Sequence, residues 1–204
     1  MATPTPFSAP TDRAGSSTNF IRHVPGCGEF RLRPLQLDED VPLIHDWVSR
    51  DYARYWGMQD QSVADVRAAY EQIANAPHSS AFAGLYNGRL SFLMEKYHAL
   101  DEPIANCYEA RSGDYGMHIL VAPPRHHIPG FTWHAFTTVM AFMFSDPRVE
   151  RVVVEPDVRN DKIHALNNRA GFLYQRVIEL PGKQAYLAFC TRAGFDTALR
   201  REQA

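Results

Sequence analysis

The chain has 204 residues and a mass of 23.1 kDa, room for one domain or a domain with a tail. Hydrophobic and charged contents of 45% and 22% are globular proportions, while a net charge of −2 lacks the basic surplus that nucleic-acid phosphates demand. The longest apolar run, Val139 to Phe144, is far short of the ~18 residues of a membrane helix, and three scattered cysteines (Cys27, Cys107, Cys190) without a CxxC spacing point to a reducing cytoplasm and away from a disulfide framework or structural zinc.

Residues 1–28 are rich in Pro, Ser, Thr and Ala, with no basic segment leading into an apolar one. They read as a flexible N-terminal arm with a docked piece at Phe20-Ile21, and residues 29–204 as a single domain. Phe30 to Leu35 alternates as a strand. Asp38 caps a helix to about Arg50, and Ser62 starts a second that Pro77 ends. Ala81 to Tyr86 and Leu90 to Tyr97 form a hairpin turning at Asn87-Gly88, the dipeptide that supplies positive φ at both turn positions.

A polar stretch, Leu100 to Arg111, leads to a strand from Asp114 to Val121. The turn-rich segment Pro123-Pro124-Arg125-His126-His127-Ile128-Pro129-Gly130 precedes a helix from Phe131 to Ser145, apolar on most faces and so buried. Val149 to Glu155 is a β-branched central strand. Asp161 to Arg169 is a helix closed by Gly171, and Phe172 to Glu179 and Gln184 to Cys190 are strands meeting at Pro181-Gly182. The order β-α-α-β-β-β-α-β-α-β-β implies an α/β fold with a mixed central sheet flanked by helices.

This order resembles the GCN5-related N-acetyltransferase (GNAT) superfamily over about Phe30 to Ala193, and two local motifs carry the likeness. One is Arg125 to Thr132, where the superfamily's pyrophosphate loop runs into its central helix. Here Ile128 and Pro129 stand where glycine is common, and Pro129 has no N–H to offer a phosphate. The other is Asn160…Ala165-Leu166…Arg169-Ala170-Gly171-Phe172. The resemblance implies acyl-CoA as co-substrate (acetyl-CoA or succinyl-CoA). Arg125, Ile128, Gly130, Phe131 and Thr132 would lie at the phosphates and Asn160 at the pantetheine arm, with Arg159 and Lys162 as further phosphate contacts.

Trp56-Gly57-Met58, Glu95-Lys96-Tyr97, Asp114-Tyr115-Gly116-Met117-His118 and Val154-Glu155-Pro156-Asp157-Val158-Arg159-Asn160 occur in this order. They resemble the siderophore-biosynthesis branch of the superfamily, which includes the aerobactin, mycobactin, alcaligin, rhizobactin and desferrioxamine-type acyltransferases. The resemblance implies N-acylation of a small N-hydroxylated amine (hydroxyputrescine, hydroxycadaverine or hydroxylysine) to a hydroxamate that binds iron. It also implies catalytic roles for His118 and Asp157.

A histidine titrating near neutrality suits proton removal from the amine. Alternation puts His118 on one strand face with Gly116 and Leu120, where Gly116 leaves space for the acyl arm. Asp157 orients His118 or holds the hydroxylamine; read alone, it is a turn or capping residue. Trp56, Glu95 and Tyr97 are acceptor-pocket candidates, Glu95 for a distal ammonium. No metal is expected, since His126-His127 with His134 lacks a completing carboxylate or cysteine at helical spacing. Partners are the amine and acyl-CoA, with neither nucleic acid nor membrane. Two other readings stay open: an acetyltransferase for a protein N-terminus or an antibiotic, and a non-enzymatic acyl-CoA-binding module.

Overall fold

The structure is a computed structural model that describes residues 19–123 and 127–202. Eight strands form one sheet in the order β1-β2-β3-β4-β5-β6-β8-β7: β1 Phe20–Val24, β2 Gly28–Pro34, β3 Ser79–Tyr86, β4 Arg89–His98, β5 Asp114–Val121, β6 Arg151–Val154, β7 Leu173–Leu180 and β8 Lys183–Thr191. The helices are α1 Leu37–Val48, α2 Val63–Asn75, α3 Phe131–Ser145, α4 Asp161–Arg169 and α5 Arg192–Glu202. The sheet is mixed, as expected. Every neighbouring pair is antiparallel except β5 and β6.

Ser62 and Asp65 form a reciprocal capping box that starts α2 as its sequence predicts. Asn87-Gly88 turns the β3–β4 hairpin with φ of 47° and 78°. Three expectations need correction. Part of the supposed arm is strand: Phe20–Val24 pairs antiparallel with β2, and its Phe20 ring packs on Phe142. Residues 1–18 lie outside the described residues. Asp38 does not cap α1. The N-cap is Gln36, and the buried Asp40 carboxylate accepts its N–H while gripping Arg33 in two bonds of 2.7 and 2.8 Å. Finally, residues 192–202 form α5, which seats Phe195 against Phe144.

Alternation along the strands sorts the core into two faces. Phe92, Met94 and Met117 join the buried helix α3, with Phe136, Met140 and Met143, on one side. Leu93 and Leu120 face α1 and α2 on the other, against Ile44, Trp47 and Tyr70. Glu95, Tyr97, Gly116 and His118 fall on this second face by the same period of two.

One feature of the sheet opens the site. β5 and β6 pair through three residues, Asp114–Gly116 with Arg151–Val153, and then part. β5 runs on to Val121, and β6 stops at Val154. The side chains beyond Gly116 and Val153 therefore border a gap in the middle of the sheet.

Candidate active site

His118 stands at that gap between two carboxylates. Its Nδ1 lies 2.9 Å from Glu95 Oε2 and its Nε2 2.8 Å from Glu155 Oε1. The register brings Glu95 directly opposite His118 across the β4–β5 ladder. Glu155 follows β6 and reaches across from the far side. The Tyr97 hydroxyl donates to Glu155 Oε2 at 2.8 Å, and Lys183 Nζ donates to the Glu155 carbonyl at 2.8 Å. The ring of Tyr97 lies 5.1 Å from that of His118, and Trp56 meets the imidazole edge-on at 6.1 Å. Trp56 Nε1–H is itself tied to the Tyr70 hydroxyl.

Carboxylates at both ring nitrogens leave His118 no neutral tautomer that satisfies both contacts. Burial works against its charge, but the charge and hydrogen bond of Glu155, then those of Glu95, outweigh burial and lift the imidazole from 6.5 to about 10. For Glu155, burial pulls upward, and His118, Lys183 and Tyr97 together hold the carboxyl down at about 2. The expectation of a histidine titrating near neutrality is thus corrected: in the free site it is an imidazolium. Burial, then the adjacent Glu155, push the Tyr97 phenol well above its usual range, so it stays a donor.

The expected partnership of His118 with Asp157 is corrected too. Asp157 gives its carboxylate to Arg159, through the backbone N–H at 2.9 Å and the guanidinium at 2.8 and 2.7 Å. Those bonds hold its carboxyl down at about 2. Asp157 also bridges to Ala185 of β8, at the margin of the same gap. Gly116 leaves space, but for a different occupant: a Cβ there would stand 2.0 Å from the Tyr97 ring. The missing side chain makes room for the tyrosine that holds Glu155.

Beside His118 lies a pocket of about 380 Å³. Glu95, Glu102, Glu155, Tyr97, Ile104 and Lys183 are among its lining residues. Glu102 forms no hydrogen bond or ion pair through its carboxylate among the described residues. Burial, with His118 pulling the other way, raises its carboxyl above the usual range. Sequence reasoning singled out Glu95, Tyr97 and Trp56, and the structure gathers all three around His118. It missed Glu102, Glu155 and Lys183. A signal for Glu155 was present: a carboxylate continuing the buried Val152-Val153-Val154 strand must find a partner.

The expected phosphate loop follows β5 at Val121, the end toward which the gap opens. Arg125 lies outside the described residues. Gly130 is the N-cap of α3 in the left-handed region, φ 69°, and no side chain caps the helix. The Phe131 N–H donates to the Ile128 carbonyl, and Phe131's ring packs on Phe30 and Tyr86. At Thr132, exposed, and Trp133, helix geometry leaves N–H groups without an intrahelical acceptor. An uncapped N-terminus with a residue lacking Cβ at its cap fits a diphosphate. Asn160 caps α4, accepting from the Ile163 N–H. Arg159 is held by Asp157, and its carbonyl accepts from the Tyr55 hydroxyl. Lys162 is exposed.

An acetyltransferase (GNAT) domain family matches residues 36–180 of the chain. The lysine N-acyltransferase MbtK of Mycobacterium sp. (strain MCS) is 31% identical over 64% of the chain and 54% of its own length. The N-hydroxyputrescine acetyltransferase of Acinetobacter baumannii is 22% identical over 87% of the chain and 85% of its own length. The chain spans about half the length of several curated relatives that it matches. Among solved structures, an uncharacterized Bacillus halodurans protein superposes with a TM-score of 0.82 at 25% identity, covering 89% of this chain and 94% of that one. The aminoglycoside acetyltransferase AAC(6')-Ib, in complex with ribostamycin and coenzyme A, superposes with a TM-score of 0.73 at 22% identity, covering 82% of this chain and 96% of that one, a likeness of fold.

Proposed function

The chain belongs to the acetyltransferase (GNAT) domain family, and we propose that it is an acyl-CoA-dependent N-acyltransferase forming a hydroxamate on a small N-hydroxylated amine for siderophore assembly. The observation that carries this reading is the acidic pocket of Glu95, Glu102 and Glu155 beside His118. Such a pocket suits an acceptor that carries one positive charge away from its reacting nitrogen, as an N-hydroxylated diamine does. Relatives named as lysine and N-hydroxyputrescine acyltransferases support the same class.

In this reading the phosphates of acyl-CoA, with acetyl- or succinyl-CoA as donor, rest on the Gly130–Trp133 turn at the start of α3. The acceptor's distal ammonium pairs with Glu102. Its hydroxylamine nitrogen is largely neutral at pH 7 and attacks the thioester carbon directly; the C–S bond breaks, and the nitrogen's proton ends on the departing thiol. His118 is placed to relay that proton. An ammonium in the same pocket repels its resting imidazolium, so binding loosens the extra proton. Asp157, at the margin of the gap, receives the hydroxyl once Arg159 swings away; Arg159 is mostly exposed, and its pair is screened by water.

The test is a competition between putrescine or cadaverine and its N-hydroxy form, with acetyl- and succinyl-CoA, across pH 6 to 9. The N-hydroxylated amine should win by up to about 10⁴-fold, because a site built to bond a hydroxyl leaves its own groups unpaired when that hydroxyl is missing. Raising the pH should rescue the parent amine more, since only it gains much free base. Equal kcat/KM for the two amines at every pH would overturn the hydroxamate reading.

A further inference from the structure

The geometry points to a second, unassigned site: a divalent transition-metal site of the zinc class formed by His78, His98 and Asp101 where β3 starts and β4 ends. The three donor atoms all lie within 4.8 Å of one another. His98 Nδ1 is 2.7 Å and His78 Nδ1 3.5 Å from the same oxygen, Asp101 Oδ2. Donors on a tetrahedral zinc ion stand roughly 3.3 Å apart for bonds of about 2.0 Å, so these spacings need only small rotations to accept one. Two imidazoles and one carboxylate are ligands of that class and leave a fourth position for water.

An independent feature fixes the tautomer. His98 Nε2 lies 3.1 Å from the Ser112 carbonyl oxygen, which can only accept, so Nε2 carries the proton. The Nδ1 lone pair then faces a carboxylate oxygen at 2.7 Å. A ring N–H donated to a backbone carbonyl is also the outer-shell arrangement that orients metal-binding histidines. His98 is further steadied by the Tyr115 ring at 5.0 Å.

The position gives the site a consequence. Each ligand adjoins a pocket-lining residue in sequence: His78 precedes Ser79, His98 follows Tyr97, and Asp101 precedes Glu102. The ligands come from the start of β3, the end of β4 and the turn after it. A bound ion would therefore fasten the segment bearing Glu102 and Ile104 to the β3–β4 hairpin. The binding claim stands on these three side chains alone and does not depend on the acyltransferase reading.

The experiment is calorimetric titration of the chelator-treated full chain with Zn²⁺, with Co²⁺ as the spectroscopic probe. The wild type should take up one ion, with cobalt ligand-field bands of a four-coordinate site and a raised Tm. His98→Ala and Asp101→Asn should each weaken Zn²⁺ by more than the roughly 10- to 100-fold that outer-shell losses cost, and abolish the Tm rise. His23→Ala, on β1, should leave both unchanged. Asp101 is exposed, so Asp101→Asn is read in a folded protein even if His98→Ala misfolds. Absence of saturable uptake by the wild type, or uptake unaltered in Asp101→Asn, overturns the site.

Discussion

The charge state of His118 is the most exposed consequence of this geometry. A pKa lifted to about 10 keeps the ring an imidazolium at neutral pH. Glu155→Gln removes a charge 2.8 Å from Nε2 and leaves Glu95 alone against the cost of burial, so the pKa should fall back toward the ordinary imidazole range. The assay is ¹⁵N NMR of histidine-labelled protein across pH 5 to 11. The wild-type resonance should stay in its imidazolium position through pH 8, and the variant's should not. Stability follows by linkage. A raised histidine pKa gives stability that is whole below 6.5 and is lost as pH climbs toward 10. The depressed Glu155 pKa gives stability present above 4.5 and lost as pH falls toward 2. The pair therefore contributes most between pH 4.5 and 6.5, and Glu155→Gln should flatten both flanks of the denaturation profile. A wild-type His118 that titrates near 6.5 would refute the reasoning.

Four further outcomes are expected. Gly130→Val puts a β-branched residue at φ 69° on the α3 cap and should raise KM for acyl-CoA strongly while the amine KM holds; an unchanged CoA affinity by calorimetry in the folded variant would move the phosphate site. Gly116→Ala drives a methyl to within 2.0 Å of the Tyr97 ring and should destabilise by about 1–3 kcal/mol in chemical denaturation, with loss of activity as Tyr97 leaves Glu155. Glu102→Gln should raise KM for a diamine more than for a monoamine of equal length, a split that steady-state kinetics reads directly. His118→Ala should lower kcat/KM by about 10² to 10⁴. Activity within about threefold in the folded variant removes the assignment.

The fold was legible where local chemistry decides conformation. Ser62 with Asp65, Asn87-Gly88 and the apolar run of α3 each specify one element, and each formed there. Of β1 only the docked Phe20-Ile21 was legible, because Phe20-Ile21-Arg22-His23-Val24 gains its order from pairing with β2 and from the Phe20–Phe142 contact, both remote in sequence. α5 is amphipathic but starts directly after β8, without a turn signal to announce it. At the site, the β4–β5 ladder made Glu95 and Tyr97 findable, because the hairpin sets their register against His118 and Gly116. Glu155 and Lys183 approach from the end of β6 and the start of β8, across a gap that no local pattern encodes. The choice between Asp157 and Glu155 as the partner of His118 depended on that approach.

Charge in the pocket narrows the acceptor further. Its lining holds Glu95, Glu102 and Glu155 against His118 and Lys183, while its remaining cation, Lys96, is bound 2.9 Å from Asp146. With His118 as imidazolium, the balance is one negative charge in excess, in about 380 Å³. A neutral acceptor would leave that charge without a partner in a partly desolvated space, and burial already lifts the Glu102 carboxyl. A large, multiply charged acceptor would bring more cations than the pocket can pair. A short amine with one remote ammonium balances the excess, and its nitrogen stays beside His118 only if the chain between the two ends spans the distance from Glu102. Activity along a series of N-hydroxylated diamines of increasing length should therefore pass through a maximum. In Glu102→Gln that maximum should flatten, because the remote ammonium then has no fixed partner from which length is measured. A maximum of the same height and position in Glu102→Gln would assign the ammonium to Glu95 or Glu155 instead.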